Sequence, residues 1–163
     1  MMVYISSFTT IILFAVIMFY VNPSIDSKNG LEVLYLQLSF EKEIGTQIVK
    51  SWTQTGINRF LELIWLDYIY ALSYSIFFSS LLFKLQTINY KKSMIIYIPF
   101  IAGILDAIEN TFEILFLNNM EKFSNTLFFI HSLVASLKWL VLPIVLVLLV
   151  YYFKKNLLLR SKK

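Results

Sequence analysis

The sequence predicts an all-α membrane protein, in which a four-helix transmembrane bundle carries a short outward-facing cap between helices one and two. The first observation is composition: 58 % of the 163 residues are hydrophobic and 15 % are charged, with a mean hydropathy of +0.72. A soluble domain has about 45–50 % apolar and about 25 % charged residues. The second is a set of long apolar segments, because one helical crossing needs about 20 mostly apolar residues. Four segments qualify and make one integral membrane domain of residues 1–163, with helices at 3–21, 60–83, 93–117 and 126–153 and the cap at 22–59.

Helix one is expected to stay uncleaved. No Lys or Arg precedes it, its apolar run is longer than a signal-peptide core, and no small-residue cleavage site follows. The alternative is a cleaved signal peptide.

Basic residues near the helix ends predict the orientation, because Lys and Arg are enriched on the cytoplasmic side. The loop between helices two and three has only basic charges, and so does the C-terminal tail, whereas segment 22–59 balances acids against bases. These basic residues are Lys84, Lys91 and Lys92 in the loop, and Lys154, Lys155, Arg160, Lys162 and Lys163 in the tail. We therefore expect a multi-pass protein of the cell membrane with both termini cytoplasmic.

The cap contains two predicted elements. Alternation in GLEVLYLQLSF, residues 30–40, predicts a short strand or an extended segment lying on the membrane. Residues 41–56 have the spacing of a short amphipathic helix, with Ile44, Ile48 or Val49, and Trp52 on one face. The cap either seals the bundle or acts as a lid over an outward-facing site, and the two roles are compatible.

Helix three contains GILDAIENTFEILF, which carries three acids and an amide inside an apolar run. Ionisable side chains at membrane depth are costly, and they normally face the bundle interior or a water-filled cavity. The four polar residues are spaced i, i+3, i+4 and i+7, which places them on one helix face: Asp106, Glu109, Asn110 and Glu113. Gly103 extends this face and permits a close neighbouring helix. Glu113 lies near the helix end, where reaching out to water is an equal alternative.

Helices two and four also carry polar residues that share a face. On helix two, Asp67 and Tyr74 are seven residues apart, with Ala71 between them on the same face. On helix four, His131 and Lys138 are seven residues apart as well. A structural role alone is the alternative for His131.

Polar groups on the three helices lie at matching depths, counted at about 1.5 Å per residue. Asp67 is level with Glu109 and Asn110, and Lys138 is level with Asp106. We therefore expect Asp67, Glu109 and Asn110 to line one outward-open cavity between helices two, three and four. Asp106 and Lys138 are expected to form an ion pair near mid-membrane.

The expected cavity has an excess of negative charge, since four acids face a single lysine: Asp67, Asp106, Glu109, Glu113 and Lys138. Such an excess is hard to hold at low dielectric, so at least one acid is protonated or a cation is present. The chain has no cysteine and no compact ligand motif, so neither a metal nor a cofactor is predicted. By ligand type alone, a metal site is compatible with a set of four residues: Asp67, Glu109, Glu113 and His131.

Several of these motifs resemble a widespread group of uncharacterised small bacterial membrane proteins. LDYIYALSYS at 66–75, GILDAIEN at 103–110 and LKW at 137–139 are similar to that group's Leu-Asp-Phe/Tyr, Asp-x-x-Glu-Asn and Lys-Trp motifs. The cap segment and the Trp52 region are also similar, so the resemblance covers most of the chain. It implies the four-helix architecture and a shared residue set, but no reaction: Asp67, Tyr74, Asp106, Glu109, Asn110, Lys138 and Trp139. A looser likeness, in fold and without matching motifs, is to the emopamil-binding sterol isomerase group.

The predicted function is that of a membrane protein with an intramembrane polar cavity that acts on a lipid or isoprenoid by carboxylate acid–base chemistry. The catalytic candidates are Asp67, Asp106, Glu109 and Lys138, and the substrate-binding candidates are Tyr74, Asn110, His131 and Trp139. Non-catalytic binding of a lipid, an amphiphile or a protein partner is the alternative, so whether the chain is an enzyme stays open. A proton or cation pathway is a third reading, opposed by the scarcity of polar residues in the inner half of the bundle. The expected partner is a membrane lipid or a hydrophobic small molecule rather than nucleic acid, and the sequence identifies no protein partner.

Overall fold

The computed structural model describes residues 2–17, 19, 31–87 and 93–160, and all secondary structure in those ranges is helical. The α-helices are α1 (Met2–Val16), α2 (Glu32–Leu38), α3 (Lys42–Ser51), α4 (Gln54–Thr87), α5 (Ile98–Asn118) and α6 (Asn125–Arg160). A short 3-10 helix, Met94–Tyr97, leads into α5. The all-α prediction is confirmed. The predicted end of helix one at Val21 and four of the basic residues lie outside the described residues: Lys91, Lys92, Lys162 and Lys163.

Two of the described helices are long and apolar enough to cross a bilayer, Gln54–Gln86 within α4 and Asn125–Leu159 within α6. Both extend beyond their predicted bounds. A shorter apolar helix covers Ile5–Val16, and α5 does not meet the same criterion because it contains three acids in 21 residues. By length and composition, the prediction of four spans is therefore met for two helices.

Helix α4 is the centre of the bundle, since α1, α5 and α6 all pack against it. Helix α1 is joined to α4 by a hydrogen bond of 2.8 Å between the hydroxyls of Thr10 and Ser73. Helix α5 lies close against α4 at Gly103, where a Cβ would collide with the Ser75 hydroxyl and lie 3.1 Å from the Ala71 carbonyl oxygen. The predicted close neighbour at Gly103 is confirmed, and it brings the polar face of α5 against α4.

The short strand or extended segment predicted in residues 30–40 is wrong, because residues 32–38 form helix α2. A strand would turn Val33 and Tyr35 to the same side, yet Tyr35 is 56 % exposed while Val33 packs against the core. The buried residues of α2 are Glu32 and Leu36, one helical turn apart. Burial against the bundle therefore selects the helical period over the short alternating pattern.

The amphipathic helix predicted within residues 41–56 is confirmed as α3, but its inward face is rotated from the predicted one. Gly45 and Val49 are buried and Trp52 follows them, whereas Ile44 is 39 % exposed. A Cβ at Gly45 would collide with the ring of Phe128 on α6. The missing side chain lets that ring pack directly on the α3 backbone, and this contact sets the rotation.

The two helices of the predicted cap, α2 and α3, pack on the end of the bundle where α4 begins, α5 ends and α6 begins. Its core is a cluster of buried residues from all five helices: Leu36, Val49, Trp52, Phe60, Ile64, Phe116, Phe123 and Phe128. Trp52 Nε1 donates a 2.8 Å hydrogen bond to the buried Glu32 carboxylate. Between α2 and α3, Phe40 has a φ of 58°, a strained conformation for a non-glycine residue. Its N–H donates to Ser132 Oγ at 3.2 Å, which fixes the turn to α6.

Candidate functional site

The centre of the site is a buried lysine between two carboxylates. Lys138 Nζ on α6 lies 2.9 Å from Asp106 Oδ1 and 2.7 Å from Glu109 Oε2, both on α5. The three side chains are 7 %, 5 % and 0 % exposed, so water does not screen these ion pairs. The predicted pairing of Asp106 with Lys138 is confirmed, and Glu109 adds a second partner because it lies one helical turn further along the same face.

Two hydrogen bonds connect the polar faces of α4 and α5. Tyr74 Oη donates to Asp106 Oδ2 at 3.0 Å, and Asn110 Nδ2 donates to Asp67 Oδ2 at 3.0 Å. The helices run antiparallel, so Asp67 meets Asn110 at one level and Tyr74 meets Asp106 at another. Asp106 thus accepts from both α4 and α6, which makes it the point where the three helices are joined.

A cavity of about 410 Å³ adjoins this network, between α1, α2, α4, α5 and α6. Its polar wall contains Gln37, Asp67, Asp106, Asn110, Glu113 and Lys138. Apolar and aromatic side chains form most of the remaining surface, including Phe14 of α1, Ile17 just after α1, and Leu142 of α6. Tyr74 and Trp139, two of the predicted binding residues, also line the cavity. The predicted convergence of Asp67 and Asn110 on one cavity is confirmed.

Glu109 does not line the cavity, which corrects the prediction that it would. At about 100° per residue, Glu109 is rotated about 60° from Asp106 toward α6, whereas Asn110 is rotated about 40° the other way, toward α4. Glu109 is therefore fully buried against α6, behind the cavity wall. Helix packing, which the spacing of residues leaves open, decides which of these positions reaches the cavity.

His131 also lies behind the wall, so the structure does not support its prediction as a substrate contact. Its ring packs 5.4 Å from that of Phe128, centroid to centroid, and it is 3 % exposed. His131 Nε2 lies 3.7 Å from Glu113 Oε1, beyond hydrogen-bond range. Among the described residues this nitrogen has no hydrogen-bond partner.

Gln37 is the site residue that the sequence did not indicate. From the cap helix α2, its Nε2 donates to Glu113 Oε1 at 3.4 Å and its Oε1 accepts from Trp139 Nε1 at 3.3 Å. Helical spacing from the partly buried Val33 could have found it, had the segment been interpreted as a helix. Glu113 is 2 % exposed, so the alternative that it reaches out to water is wrong.

A second cluster lies on the α6 side of the site. One ligand-type atom from each of Glu109, Glu113 and His131 lies within 4.8 Å of the others, and all three residues are buried. Of the four residues that are metal ligands by type, Asp67 is the one that lies apart, on the α4 side with Asn110.

Charge is unevenly distributed in this site. When all four acids are ionised, they carry three negative charges more than the ammonium group of Lys138 balances. The acids are Asp67, Asp106, Glu109 and Glu113. Among the described residues, the ammonium lies within ion-pair distance of Asp106 and Glu109. The charge of Asp67 and Glu113 is therefore left to be balanced by protonation, by a ligand or by an ion. No family model, no curated protein and no solved structure matches the chain, so the chemistry is interpreted from this geometry.

Proposed function

We propose that this chain is a multi-pass protein of the cell membrane whose cavity binds a lipid-like amphiphile with a cationic head group. The first support is the apolar surface of the two long helices. Only 28 % of the most apolar window of α4 and 17 % of that of α6 is buried, with Leu140 and Val147 61 % and 67 % exposed. Burying apolar surface gains about 25 cal/mol per Å², and lipid is the environment that covers helices of this length.

The distribution of residues on α5 supports a third crossing. All its acids turn inward, and four of its six exposed positions are Ile or Leu, with Ile101, Ile104 and Leu115 each more than half exposed. When all its residues are counted, its three acids exclude α5 from the helices that are apolar enough to cross a bilayer. Counted over its exposed surface alone, α5 carries no acid and is mostly apolar. Helix α1 adds the fourth crossing of the proposal.

The position of the cap is consistent with cytoplasmic termini. Helices α2 and α3 cover one end of the bundle, and Lys84 and Lys154 lie near the other end, where α4 and α6 finish. Basic residues favour the cytoplasmic side. The proposal therefore places the cap outside and the cavity in the outer half of the bilayer.

The observation that carries the ligand proposal is a largely apolar cavity whose uncompensated charge is negative. Ligand sites are typically apolar with a few polar groups that fix orientation. Asp67 is on the wall and has an amide rather than a cation as its hydrogen-bond partner. A cationic head group at Asp67 and an acyl or isoprenoid chain along Phe14, Ile17 and Leu142 satisfy both parts of the cavity.

A pair of matched amphiphiles tests this proposal in lipid nanodiscs. A long-chain alkylamine should bind and raise the midpoint of thermal unfolding more than an alcohol of equal chain length. Asp67→Asn should remove most of this preference, and Glu62→Gln, which changes an exposed acid on the same helix, should keep it. Equal effects of amine and alcohol on the wild-type protein would refute the charge argument.

Filling the cavity tests the apolar part separately. Leu142→Trp places bulk in the cavity, while Leu140→Trp places it on the exposed surface of the same helix, where the native side chain is 61 % exposed. Amphiphile binding should be lost in the first variant and kept in the second. Retained binding in Leu142→Trp would place the ligand elsewhere.

An acid–base enzyme acting on the bound lipid is the second candidate function. It is favoured by two groups that line the cavity together, the Asp67 carboxylate and the Tyr74 hydroxyl, which is hydrogen-bonded to Asp106. In this version Asp67 takes or gives the proton at the substrate. Lys138 on the wall and Glu109 behind it fix the charge and position of Asp106. Mass spectrometry of a membrane lipid extract incubated with wild-type or Asp67→Asn protein tests it. A lipid converted only by the wild type supports an enzyme, and unchanged extracts leave binding as the function.

A further inference from the structure

We infer that the α6 side of the site is a binding site for one divalent transition-metal ion, with Glu109, Glu113 and His131 as its ligands. This site is separate from the proposed amphiphile site, because it uses neither Asp67 nor Asn110. It explains three buried ligand-type side chains that the charged network leaves incompletely bonded.

The distances are close to those of a metal centre. His131 Nε2 and Glu113 Oε1 are 3.7 Å apart, which is too long for a hydrogen bond. Two ligand atoms at about 2.0–2.2 Å from one tetrahedral ion are about 3.3–3.6 Å apart. The third ligand atom, from Glu109, lies within 4.8 Å of both, so side-chain rotation that shortens this separation by about 1 Å closes the set.

The unpaired atoms point to the same conclusion. Among the described residues, His131 Nε2 and Glu109 Oε1 are buried without any hydrogen-bond partner. Glu109 Oε2 lies 2.7 Å from Lys138 Nζ, which leaves Oε1 available to an ion. A buried polar atom without a partner costs about 1–3 kcal/mol, and two side by side on neighbouring helices call for a shared partner.

Ligand type and charge define the class of ion. One imidazole and two carboxylates suit Zn²⁺, Mn²⁺ or Fe²⁺, and the absence of cysteine excludes a thiolate site. A divalent ion removes two of the three excess negative charges of the site, which a neutral water molecule does not. Glu113 also lines the cavity, so the proposed ion site adjoins the wall of the amphiphile site while using different residues from those proposed to bind the head group.

The single histidine of the chain makes a direct spectroscopic test possible. Full-length protein with a tag that contains no histidine is treated with chelator, loaded with Cu²⁺, which binds such ligands most tightly, and desalted. Electron paramagnetic resonance should then show about one Cu²⁺ per chain, coupled to one imidazole nitrogen. Since only His131 provides an imidazole, that coupling assigns the site in the wild-type protein, whatever the stability of the variants.

Matched variants test the other ligands with Zn²⁺, by equilibrium dialysis and by the Zn²⁺-dependent rise of the unfolding midpoint. His131→Gln and Glu113→Gln should each weaken binding by at least the roughly 10- to 100-fold that loss of an outer-shell partner alone causes. Glu121→Gln, the same change at an exposed position in the α5–α6 turn, should leave binding unchanged. Wild-type protein that retains no metal, Cu²⁺ without imidazole coupling, or unchanged affinity in both ligand variants would overturn the inference and leave a plain contact between His131 and Glu113.

Discussion

Removing the buried lysine should destabilise the protein more than removing the aspartate that it contacts. Lys138→Met leaves two carboxylates, Asp106 and Glu109, without their cation inside the bundle. Removing one partner of a buried ion pair costs about 3–5 kcal/mol, because the remaining charge is stranded. Asp106→Leu, in contrast, leaves Lys138 paired with Glu109 and removes the acceptor of the Tyr74 hydroxyl. Its cost should be nearer the roughly 1–3 kcal/mol of one buried unsatisfied polar group.

The three-membered arrangement also changes what a combination of substitutions should do. In the double variant of Asp106→Leu and Lys138→Met, the Glu109 carboxylate is still buried without a cation. The double variant should therefore recover only part of the loss, and adding Glu109→Leu should recover more, because well-packed apolar residues often replace buried ion pairs at little cost. This order differs from that expected of an isolated pair, in which the double variant alone would be nearly neutral.

The measurement is the free energy of unfolding by SDS titration in mixed micelles, with helix content followed by circular dichroism. The Glu62→Gln variant, whose acid is exposed and pairs with Arg59, serves as the control and should change stability by less than about 1 kcal/mol. Equal losses for the two single variants, or a triple variant no more stable than Lys138→Met, would show that Lys138 does not bridge two carboxylates.

Three further predictions concern the packing, the cap and the topology. Gly103→Ala should cost about 1–3 kcal/mol by overpacking, and adding Ser75→Ala should recover part of that loss, because the new methyl group would collide with the serine hydroxyl. Trp52→Phe removes the indole N–H that donates to the buried Glu32 carboxylate, so it should cost about 1–3 kcal/mol. It should also increase proteolysis in α2 and α3. In a chain without cysteine, an introduced Cys at Lys50 should react with a membrane-impermeant maleimide from outside the cell, and one at Lys154 only after permeabilisation.

Each of these has its own check. A Gly103→Ala variant as stable as wild type would mean that α4 and α5 have room to separate. Trp65→Phe, the same substitution at a 62 % exposed position of α4, should leave proteolysis of the cap unchanged. Labelling of both cysteine positions from the same side would exclude the proposed arrangement of the cap and the C-terminal end.

The architecture of α5 shows how far local pattern reaches. The spacing of its polar residues predicts one inward face, and the structure buries every member of that face, from Asp106 to Glu113. Matching depths likewise predict the bonds from Asp67 to Asn110 and from Lys138 to Asp106. Both inferences depend only on helix rise and period, which are the same in every helix.

The cap shows where the same reasoning fails. Alternation over a few residues predicts a strand, but burial of Leu36 and the contacts of Gln37 with Glu113 and Trp139 belong to a helix. A short segment has too few residues for either period to be distinctive, so contacts with the bundle decide its conformation. Gln37 was missed for this reason, and no charge or motif marks it.

The sequence by itself determined the helical character of this chain, the inward face of each polar helix and the level at which those faces meet, because helix geometry converts spacing into position. Only the tertiary structure decided the final rotation of each helix about its own axis, and so which residues of the inward face reach the cavity. That rotation turns Glu109 toward α6, leaves Asp67 on the cavity wall and brings His131 to Glu113. It is set by contacts between residues far apart in the chain, such as Gly103 against Ser75, and no local period contains that information.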